Sequence, residues 1–364
     1  MAFVCKLTHP CDLERGYQIL WLAIALPENK PGSIATVELG ISFKNNTSSP
    51  LPFRDLVPEL VAPDGQTLKP QEPGTKGNKW GLITRGLPVG ITLLGRISWR
   101  NNSLQLEIPT YWHYLEASPI TPENYWNFDS LQPGIYKLRF ICDIPSREAI
   151  CSNPETRHLA ELKENNIANL TTPFVNLRLV QPLEHNKTAV EVDGIRFETL
   201  VPKQELNIPK KEPGAKAGLQ LAGIRMTNNR LNPVCFSFYV TVIPEILGTN
   251  SQRLFRGGFS DWFRQAEKSD FVLAMPGEDV TFFPGTAIWW QQNDKILLVI
   301  DAQDGGAYTF EFFDSGTYKI QLNYVNIQAS IKAYDQEDMN WKQIEDVWTG
   351  MVITPFVDFK LTRS

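Results

Sequence analysis

The residues of this chain that could bind a metal ion are few and poorly spaced for that purpose. The segment CKLTHPC places Cys5, His9 and Cys11 close together, and thiolate and imidazole groups are the ligands that zinc prefers in proteins. A structural zinc site needs about four such ligands, and no second Cys/His pair accompanies the first. We therefore predict free thiols beside a surface turn and neither a metal site nor a cofactor.

A second possible ion site is the segment DAQDGG at 301–306, which offers the carboxylates of Asp301 and Asp304. Oxygen ligands on a glycine-containing loop suit calcium, but the segment lacks the length and the ligand count of an EF-hand loop. It follows the apolar run KILLVI. A hairpin turn after a strand is the prediction here.

Recognisable catalytic motifs are absent from the sequence. It contains no GxSxG elbow, no phosphate-binding Walker loop and no GxGxxG fingerprint, which are the usual marks of acyl transfer and of nucleotide chemistry. We predict that the protein is not an enzyme. An unrecognised carboxylate site stays open as an alternative, because the distance between two carboxylates cannot be read from a sequence.

Aromatic side chains are the strongest candidates for a binding role, since the chain contains 10 tryptophans. The candidate residues are Tyr111, Trp112, Tyr125 and Trp126 in one stretch, Trp289 and Trp290 in another, and Trp341 and Trp348 near the end. Charged residues surround the last pair: Glu337, Asp338, Lys342 and Asp346. Aromatic anchors with a charged rim are typical of protein interfaces.

The structural elements that must position these residues are encoded by sequence blocks that occur twice in the chain. Four blocks recur: NKPGSIATVELG with KEPGAKAGLQLAG, LGISFKNNTSSPLPF with AGIRMTNNRLNPVCF, SLQPGIYKLRF with FFDSGTYKIQL, and TPFVNLRL with TPFVDFKL. The offset is nearly constant, since 318 − 136 = 182 for the tyrosines of the third block and 355 − 173 = 182 for the prolines of the fourth. This spacing indicates a tandem duplication. We predict two domains, residues 1–183 and 184–364.

Each copy has the pattern of an all-β domain. Polar and apolar residues alternate in TVELGISFKNN, GIYKLRF and FVNLRLV, and Pro and Gly fall between such runs, as expected for short antiparallel strands packed in a sandwich. Two segments before the last strand of each copy, 153–170 and 335–350, are predicted to be short helices. In the second, Trp341, Ile344 and Trp348 have the spacing of one helix face.

The segment DSGTYKI (314–320) resembles the tyrosine corner of the immunoglobulin superfamily, and DSLQPGIYKL (129–138) resembles it with a longer spacer. The resemblance implies tandem immunoglobulin-like or fibronectin-like β-sandwiches, with the Tyr ring in the core and its hydroxyl bonded to nearby backbone. The cysteine that follows the tyrosine in immunoglobulins is replaced by Leu138 and Ile320. No inter-sheet disulfide is therefore expected.

These observations favour a non-enzymatic interaction or scaffold protein, whose two sandwiches present loops and sheet edges to a protein partner. A carbohydrate-binding module with exposed Trp and Tyr platforms is the alternative, beside the unrecognised enzyme. The net charge of −5 at pH 7 and the lack of a basic stripe argue against nucleic acid as a partner. The sequence shows no signal peptide and no apolar run of transmembrane length. A cytoplasmic location is therefore expected, and the oligomeric state is left open.

Overall fold

The computed structural model describes residues 3–8, 19–27, 34–45, 55–71, 91–100, 103–108, 124–143, 170–210, 216–260, 264–291, 295–312 and 315–363. The described chain falls into two compact units. The first unit contains Met1–Leu22 and Asn29–Leu179, and the second contains Ala23–Glu28 and Val180–Ser364. The second unit therefore includes a short N-terminal segment as well as the C-terminal half. The domain boundary at 183/184 stays a prediction.

The residues that the structure describes up to Val180 form eleven strands. In chain order they are β1 (Phe3–Thr8), β2 (Trp21–Ala25, continued in the second unit), β3 (Ile34–Asn45), β4 (Asp55–Val61), β5 (Thr67–Leu68), β6 (Ile91–Arg100), β7 (Ser103–Ile108), β8 (Asn124–Asp129), β9 (Gly134–Asp143), β10 (Leu170–Thr171) and β11 (Val175–Val180). An antiparallel sheet has the order β1-β3-β6-β7-β8. In a second set, β9 lies between β4 on one side and β10 and β11 on the other, again antiparallel.

The described residues after Val180 form eighteen further strands. They are β12 (Ala189–Val192), β13 (Ile195–Leu200), β14 (Glu205–Ile208), β15 (Lys216–Leu219), β16 (Gly223–Asn228), β17 (Val234–Ser237), β18 (Val242–Leu247), β19 (Gly257–Ser260), β20 (Phe271–Ala274), β21 (Asp279–Phe282), β22 (Thr286–Trp290), β23 (Ile296–Asp301), β24 (Gly306–Phe312), β25 (Gly316–Asn326), β26 (Ile331–Asp335), β27 (Asn340–Ile344), β28 (Gly350–Ile353) and β29 (Val357–Arg363).

These strands form one part of a large mixed sheet and several smaller antiparallel ones. In the mixed sheet the order is β14-β29-β25-β28, and β18 also pairs with β25. It is mixed because β14 and β29 run parallel. The smaller sheets are β12-β13-β16-β21, β15-β22-β23-β24-β19, β17-β20 and the hairpin β26-β27.

The prediction of an all-β chain is confirmed, and the prediction of a helix at 335–350 is wrong. Within the described ranges the only helical element is the short 3-10 turn Lys268–Asp270. The segment 335–350 instead forms the turn and second strand of the β26–β27 hairpin and leads into β28. The other predicted helix, 153–170, lies outside the described residues except for Leu170.

The backbone explains why helical spacing failed as a guide in this segment. Met339 and Asp346 have φ angles of 50° and 56°, a left-handed conformation that a right-handed helix cannot contain. Asp335 also accepts a hydrogen bond from the backbone N–H of Glu337 at 3.1 Å, and this side chain–backbone bond favours a turn over a helix. The three- and four-residue spacing of the apolar residues therefore does not mark a helix face.

The repeated blocks pair in the same register in both halves of the chain. On β9, Tyr136 lies opposite Leu177 of β11. On β25, Tyr318 lies opposite Phe359 of β29. The two tyrosines and their two partners are each separated by the same number of residues along the chain, since 318 − 136 = 182 and 359 − 177 = 182. The duplication read from the sequence thus extends to the hydrogen-bond register of equivalent strands.

A further repeat, Val-Pro-Glu-Leu in β4 and Ile-Pro-Glu-Ile in β18, becomes visible through pairing. Glu59 lies opposite Arg139 on β9, and Glu245 lies opposite Gln321 on β25. Because 321 − 139 = 182, the two glutamates occupy equivalent places. This block is hard to recognise from the sequence, because its own offset is 245 − 59 = 186.

The two equivalent glutamates have different surroundings. Glu59 forms an ion pair with Arg139 at 2.8 Å, and the two side chains are 19% and 30% exposed. The Glu245 side chain is only 1% exposed and contacts two arginines, with Arg253 Nε at 2.5 Å and Arg256 as its second partner. Burial of a carboxylate costs free energy unless such partners are present, so the two arginines are a condition for burying Glu245.

The recurring Thr-Pro-Phe block has a structural explanation. Proline cannot donate a backbone hydrogen bond, and the block interrupts the strand between β10 and β11 and between β28 and β29. In the first copy the Thr172 hydroxyl accepts a hydrogen bond from the N–H of Phe140 at 2.9 Å. In the second copy the Thr354 hydroxyl donates to the carbonyl of Leu322 at 2.8 Å. In both copies the threonine hydroxyl bonds the central strand where the ladder is broken.

The tyrosine-corner geometry is present in the first copy. The Tyr136 hydroxyl donates to the carbonyl oxygen of Gln132 at 3.0 Å and lies 3.1 Å from the backbone nitrogen of the same residue. The Tyr136 side chain is buried. This is the backbone contact that the resemblance to the immunoglobulin superfamily implies.

We predict that Tyr136→Phe lowers the free energy of unfolding by about 0.5–1 kcal/mol, because the partly buried loop backbone loses its hydroxyl partner. Chemical denaturation monitored by hydrogen exchange at β9 measures this change. Tyr334→Phe is the control, since the hydroxyl of Tyr334 lies at the surface beside the sulfur of Met339. Equal changes for the two variants would argue against a stabilising corner.

The core of the second unit contains a cluster of large aromatic rings. Trp348 lies 5.0 Å from Phe197 and 5.4 Å from Tyr324 between ring centroids. The Tyr324 hydroxyl donates to the carbonyl of Ser237 at 2.8 Å, and burial raises the pKa of Tyr324. A fully buried hydroxyl with a backbone partner fixes the ring in one orientation.

Candidate functional site

The first aromatic stretch lies largely outside the residues that the structure describes. Tyr111 and Trp112 fall in a gap between described ranges. Tyr125 and Trp126 are consecutive residues of β8, where Tyr125 lies opposite Glu107. Trp126 is half-buried. A binding role for this stretch stays a prediction.

Trp289 and Trp290 are consecutive residues of β22, so they point to opposite faces of its sheet. Both side chains are half-buried. The indole N–H of Trp290 donates to the carbonyl oxygen of Pro209 at 2.7 Å. This hydrogen bond ties the Trp290 indole to the segment that follows β14.

Trp341 and Trp348 are separated by the fold. Trp348 is 5% exposed and belongs to the aromatic core. Trp341 is 38% exposed and lies on β27, opposite Tyr334 of β26. The exposed aromatic residue of this pair is therefore carried by a hairpin, and we take the hairpin as the candidate site.

The exposed face of the hairpin combines aromatic, thioether and charged side chains. The ring centroids of Tyr334 and Trp341 are 5.5 Å apart, at an interplanar angle of 69°. The ammonium group of Lys332 lies 5.5 Å from the centroid of the Trp341 ring. Met339, at the turn, is 74% exposed. We call Lys332, Tyr334, Met339, Trp341 and the exposed Gln343 the hairpin surface.

On the opposite face of the hairpin, the buried carboxylate of Asp335 pairs with two partly exposed lysines. Asp335 is 2% exposed, and its carboxylate lies 2.9 Å from the ammonium group of Lys268 and 2.6 Å from that of Lys342. Hydrogen bonds from Lys342 and then Lys268 hold the pKa of Asp335 well below its usual range. The aromatic face is thus presented on a hairpin that is anchored by charge.

Backbone contacts strengthen the same anchorage. The N–H of Tyr334 donates to the carbonyl oxygen of Ala266 at 2.8 Å. The Gln336 amide donates to the carboxylate of Glu267 at 2.9 Å. Asp270, buried beside them, forms an ion pair with Arg264 at 2.9 Å. The hairpin is therefore fixed to the segment 264–270 by both main-chain and side-chain bonds.

Exposed carboxylates lie in the turn of the hairpin and directly after its second strand. The acidic residues with exposed side chains are Glu337, Asp338, Glu345 and Asp346. Lys342, which lies between them in the chain, is only half-exposed and contacts both Asp335 and Asp338. Its charge is therefore already matched inside the hairpin, and the exposed rim is acidic.

We predict that Asp335 makes the stability of the hairpin acid-sensitive. A carboxyl whose pKa is lowered by folding stabilises the fold above its unfolded-state pKa, about 3.9 for Asp, and this contribution is lost as the pH falls through the folded value. Hydrogen exchange of β26 and β27, corrected for intrinsic rates, should show progressive opening below about pH 4. In Asp335→Asn the protection should be lower at pH 7 and less dependent on pH.

Asp338→Asn is the control for this measurement, because Asp338 is 59% exposed. It should keep the acid-dependent opening of the natural chain. An Asp335→Asn variant with the same pH profile as the natural chain would contradict the assignment of Asp335 as the anchor.

Four of the five residues of the hairpin surface, and the residue that anchors it, were not predicted from the sequence. Lys332, Tyr334, Met339 and Gln343 were not among the candidates, and Asp335 was not recognised as the buried charge. Period-two alternation in IKAYD was the available signal, since Ala333 and Asp335 are buried while their neighbours are not. The apparent helical spacing of the tryptophans hid that signal.

The segment at 301–306 forms the predicted hairpin turn, between β23 and β24. Asp301 accepts a hydrogen bond from the backbone N–H of Gln303 at 2.7 Å. Asp304 accepts one from the N–H of Gly306 at 2.8 Å. Both carboxylates thus stabilise the turn, and in the described part of the chain no group of three His, Cys, Asp or Glu side chains could hold a metal ion.

Two further titratable groups have shifted pKa values in this unit. Burial raises the pKa of Glu198, but hydrogen bonds from Asn186 and Arg225 outweigh it and leave the pKa lowered. Cys235 is a free, half-buried thiol, and burial raises its pKa. The ionised form of Glu198 and the protonated form of Cys235 are therefore favoured.

The described ranges contain no helix with the length and apolar character to cross a membrane. Comparison with protein-family models finds no match for the chain. Comparison with curated proteins finds none either.

Proposed function

We propose that the protein is a non-enzymatic interaction protein and that the hairpin surface is where it binds a protein partner. The observation that carries this proposal is an exposed tryptophan, Trp341, on a hairpin anchored through a buried carboxylate, Asp335. Aromatic and methionine side chains are enriched at protein interfaces and are surrounded there by a polar rim. A rigid support lowers the entropy that such residues lose on binding.

The scaffold that we propose for this surface is a pair of tandem immunoglobulin-like sandwiches. The tyrosine-corner contact of Tyr136 supports this proposal, as does the shared register of Tyr136 and Tyr318 with their partners. Sandwiches of this kind commonly present binding residues on connections between strands. The hairpin β26–β27 occupies such a connection, between β25 and β28.

A protein partner accounts for the hairpin surface better than a carbohydrate does. Tyr334 and Trp341 meet edge to face at 69°, whereas stacking of a sugar ring requires a flat, open aromatic face. One side of the Trp341 ring also carries the Lys332 ammonium group. The hairpin surface therefore presents protruding aromatic side chains beside charged ones, an arrangement that suits a protein interface.

A photo-crosslinking amino acid placed at position 343, in cells of the native host, tests this proposal. We expect a small number of discrete adducts, and we expect Trp341→Ala to remove them. The matched control is position 66, which is also an exposed glutamine but lies in the turn between β4 and β5. Position 66 should not give the same adducts.

Identical adducts from positions 66 and 343, or adducts that persist in Trp341→Ala, would contradict the proposal. Point substitution is a sharper test than deletion of 335–350, because deletion would also remove the buried Trp348. Thermal unfolding of Trp341→Ala establishes that the variant is folded before it is compared.

A further inference from the structure

We propose that the partner segment bound by the hairpin surface is cationic, and that Lys332 holds the place of its cation in the free protein. This inference rests on the proposed function, because it specifies the chemistry of the same site. It is drawn from the contact between Lys332 and Trp341 and from the distribution of charge on the hairpin. These two observations are independent of each other.

The Trp341 ring already binds a cation. The ammonium nitrogen of Lys332 lies 5.5 Å from the ring centroid, within the range of about 6 Å over which an aromatic face attracts a positive charge. Lys332 is exposed, so water can replace the contact at little cost. A lysine or arginine side chain from a partner can occupy the same face once Lys332 swings away.

The charge of the hairpin favours such a partner. Residues 331–346 contain five acidic side chains, Asp335, Glu337, Asp338, Glu345 and Asp346, and two lysines, Lys332 and Lys342, so that 2 − 5 = −3. The buried member of the acidic set, Asp335, is matched by Lys342 and Lys268. Lys342 also pairs with Asp338, so in the described part of the chain the unmatched negative charge of the hairpin lies on Glu337, Glu345 and Asp346, where it attracts cationic groups.

The geometry separates the roles of the two parts of the site. The aromatic face gives a defined position for one cation, whereas the carboxylates of Glu337 and Asp338 can accept hydrogen bonds from neighbouring cationic groups. Arginine and lysine differ from a simple counter-ion here, because their alkyl or guanidinium surface also packs on Met339 and Trp341. A segment with several Lys or Arg residues is the occupant that fits both parts.

Isothermal titration of the full chain with two synthetic peptides tests the inference. The probes are a Gly-spaced peptide with four Arg and Lys residues and its counterpart with four Glu residues, at physiological salt. We expect the cationic peptide to bind and the acidic peptide not to bind. Trp341→Ala should weaken binding at least tenfold, and Lys332→Gln should strengthen it several-fold because the ring is freed.

The charge variant Glu337→Lys/Asp338→Lys should weaken binding at least tenfold. Its matched control is Glu184→Lys/Glu205→Lys, which makes the same change in net charge at two exposed positions elsewhere in the second unit. The control should change the affinity by less than twofold. Equal losses in both double variants would mean that only the net charge of the molecule is sensed, and this would overturn the inference.

Binding of both peptides alike, or an unchanged affinity in Lys332→Gln, would also overturn it. The crosslinking experiment keeps this failure distinct from failure of the proposed function. If adducts at position 343 depend on Trp341 but are indifferent to Glu337→Lys/Asp338→Lys, the hairpin binds a partner and that partner is not cationic. If the adducts depend on both, the two proposals stand together.

Discussion

Replacement of Glu245 by alanine is expected to lower the free energy of unfolding of the second unit by about 3–5 kcal/mol, because it leaves buried arginines without their carboxylate. The side chains of Arg253 and Arg256 are only 13% and 9% exposed. Neither can recover the lost interaction fully from water. Chemical denaturation with hydrogen exchange resolved at β18 and β25 measures the loss.

The duplication supplies a matched control for this experiment. Glu59 has the equivalent place on β4, but it is paired with one arginine and both side chains are partly exposed. Glu59→Ala should therefore cost about 1 kcal/mol or less, as measured for ion pairs near the surface. A Glu245→Gln variant, which keeps the volume and removes the charge, should still be strongly destabilised.

If Glu245→Ala and Glu59→Ala differ by less than about 0.5 kcal/mol, which is the usual effect of a surface substitution, the buried cluster is not an important source of stability. A large loss confined to Glu245→Ala would show that one duplicated position has acquired a structural dependence that the other lacks. The comparison is informative because the two glutamates occupy equivalent strands, in the same register, and each follows a proline.

Trp348→Ala is expected to destabilise the second unit by about 3–5 kcal/mol, through lost burial and the cavity that it leaves. Trp348 packs against Phe197 and Tyr324, both fully buried. Trp341→Ala removes a similar ring from an exposed place and should cost about 0.5–1 kcal/mol, largely from the contact with Tyr334. Differential scanning calorimetry separates these outcomes as a shift in Tm.

The pair of variants also divides the two tryptophans by role. Trp341→Ala should fold normally and lose the crosslinks at position 343, whereas Trp348→Ala should fold poorly. Similar losses of stability in both would contradict the separation of core and surface described above. Trp348→Phe, which keeps much of the apolar volume, should recover part of the stability lost in Trp348→Ala.

The architecture was more accessible from the sequence than the site was. The recurring blocks around Tyr136 and Tyr318 led to the duplication, because constant spacing over several blocks does not depend on local structure. The β-rich character followed from alternation. The repeat that contains Glu59 and Glu245 escaped notice, because its offset differs and few letters match.

The candidate site was harder to predict, for a physical reason. Trp341 and Trp348 have a spacing that fits one helix face, and only tertiary context places one at the surface and the other in the core. Met339 and Asp346 adopt left-handed conformations although neither is a glycine, so the sequence has no glycine at these positions to indicate a turn. Burial of Asp335 depends on Lys268, a residue 67 positions away in the chain.

The parallel pairing of β14 with β29 has a consequence for the order of events during synthesis on the ribosome. Glu205 lies opposite Lys360, and Ile208 lies opposite Arg363. The second unit also includes Ala23–Glu28, which are synthesised long before residues 357–363 of the same unit. The second unit cannot complete its part of the mixed sheet until residues 357–363, which form β29, have left the ribosome. Until then, the edge of β25 that later pairs with β29 has unpaired backbone N–H and C=O groups. Another strand can pair with this edge during that interval, and a chaperone would then be needed to prevent it.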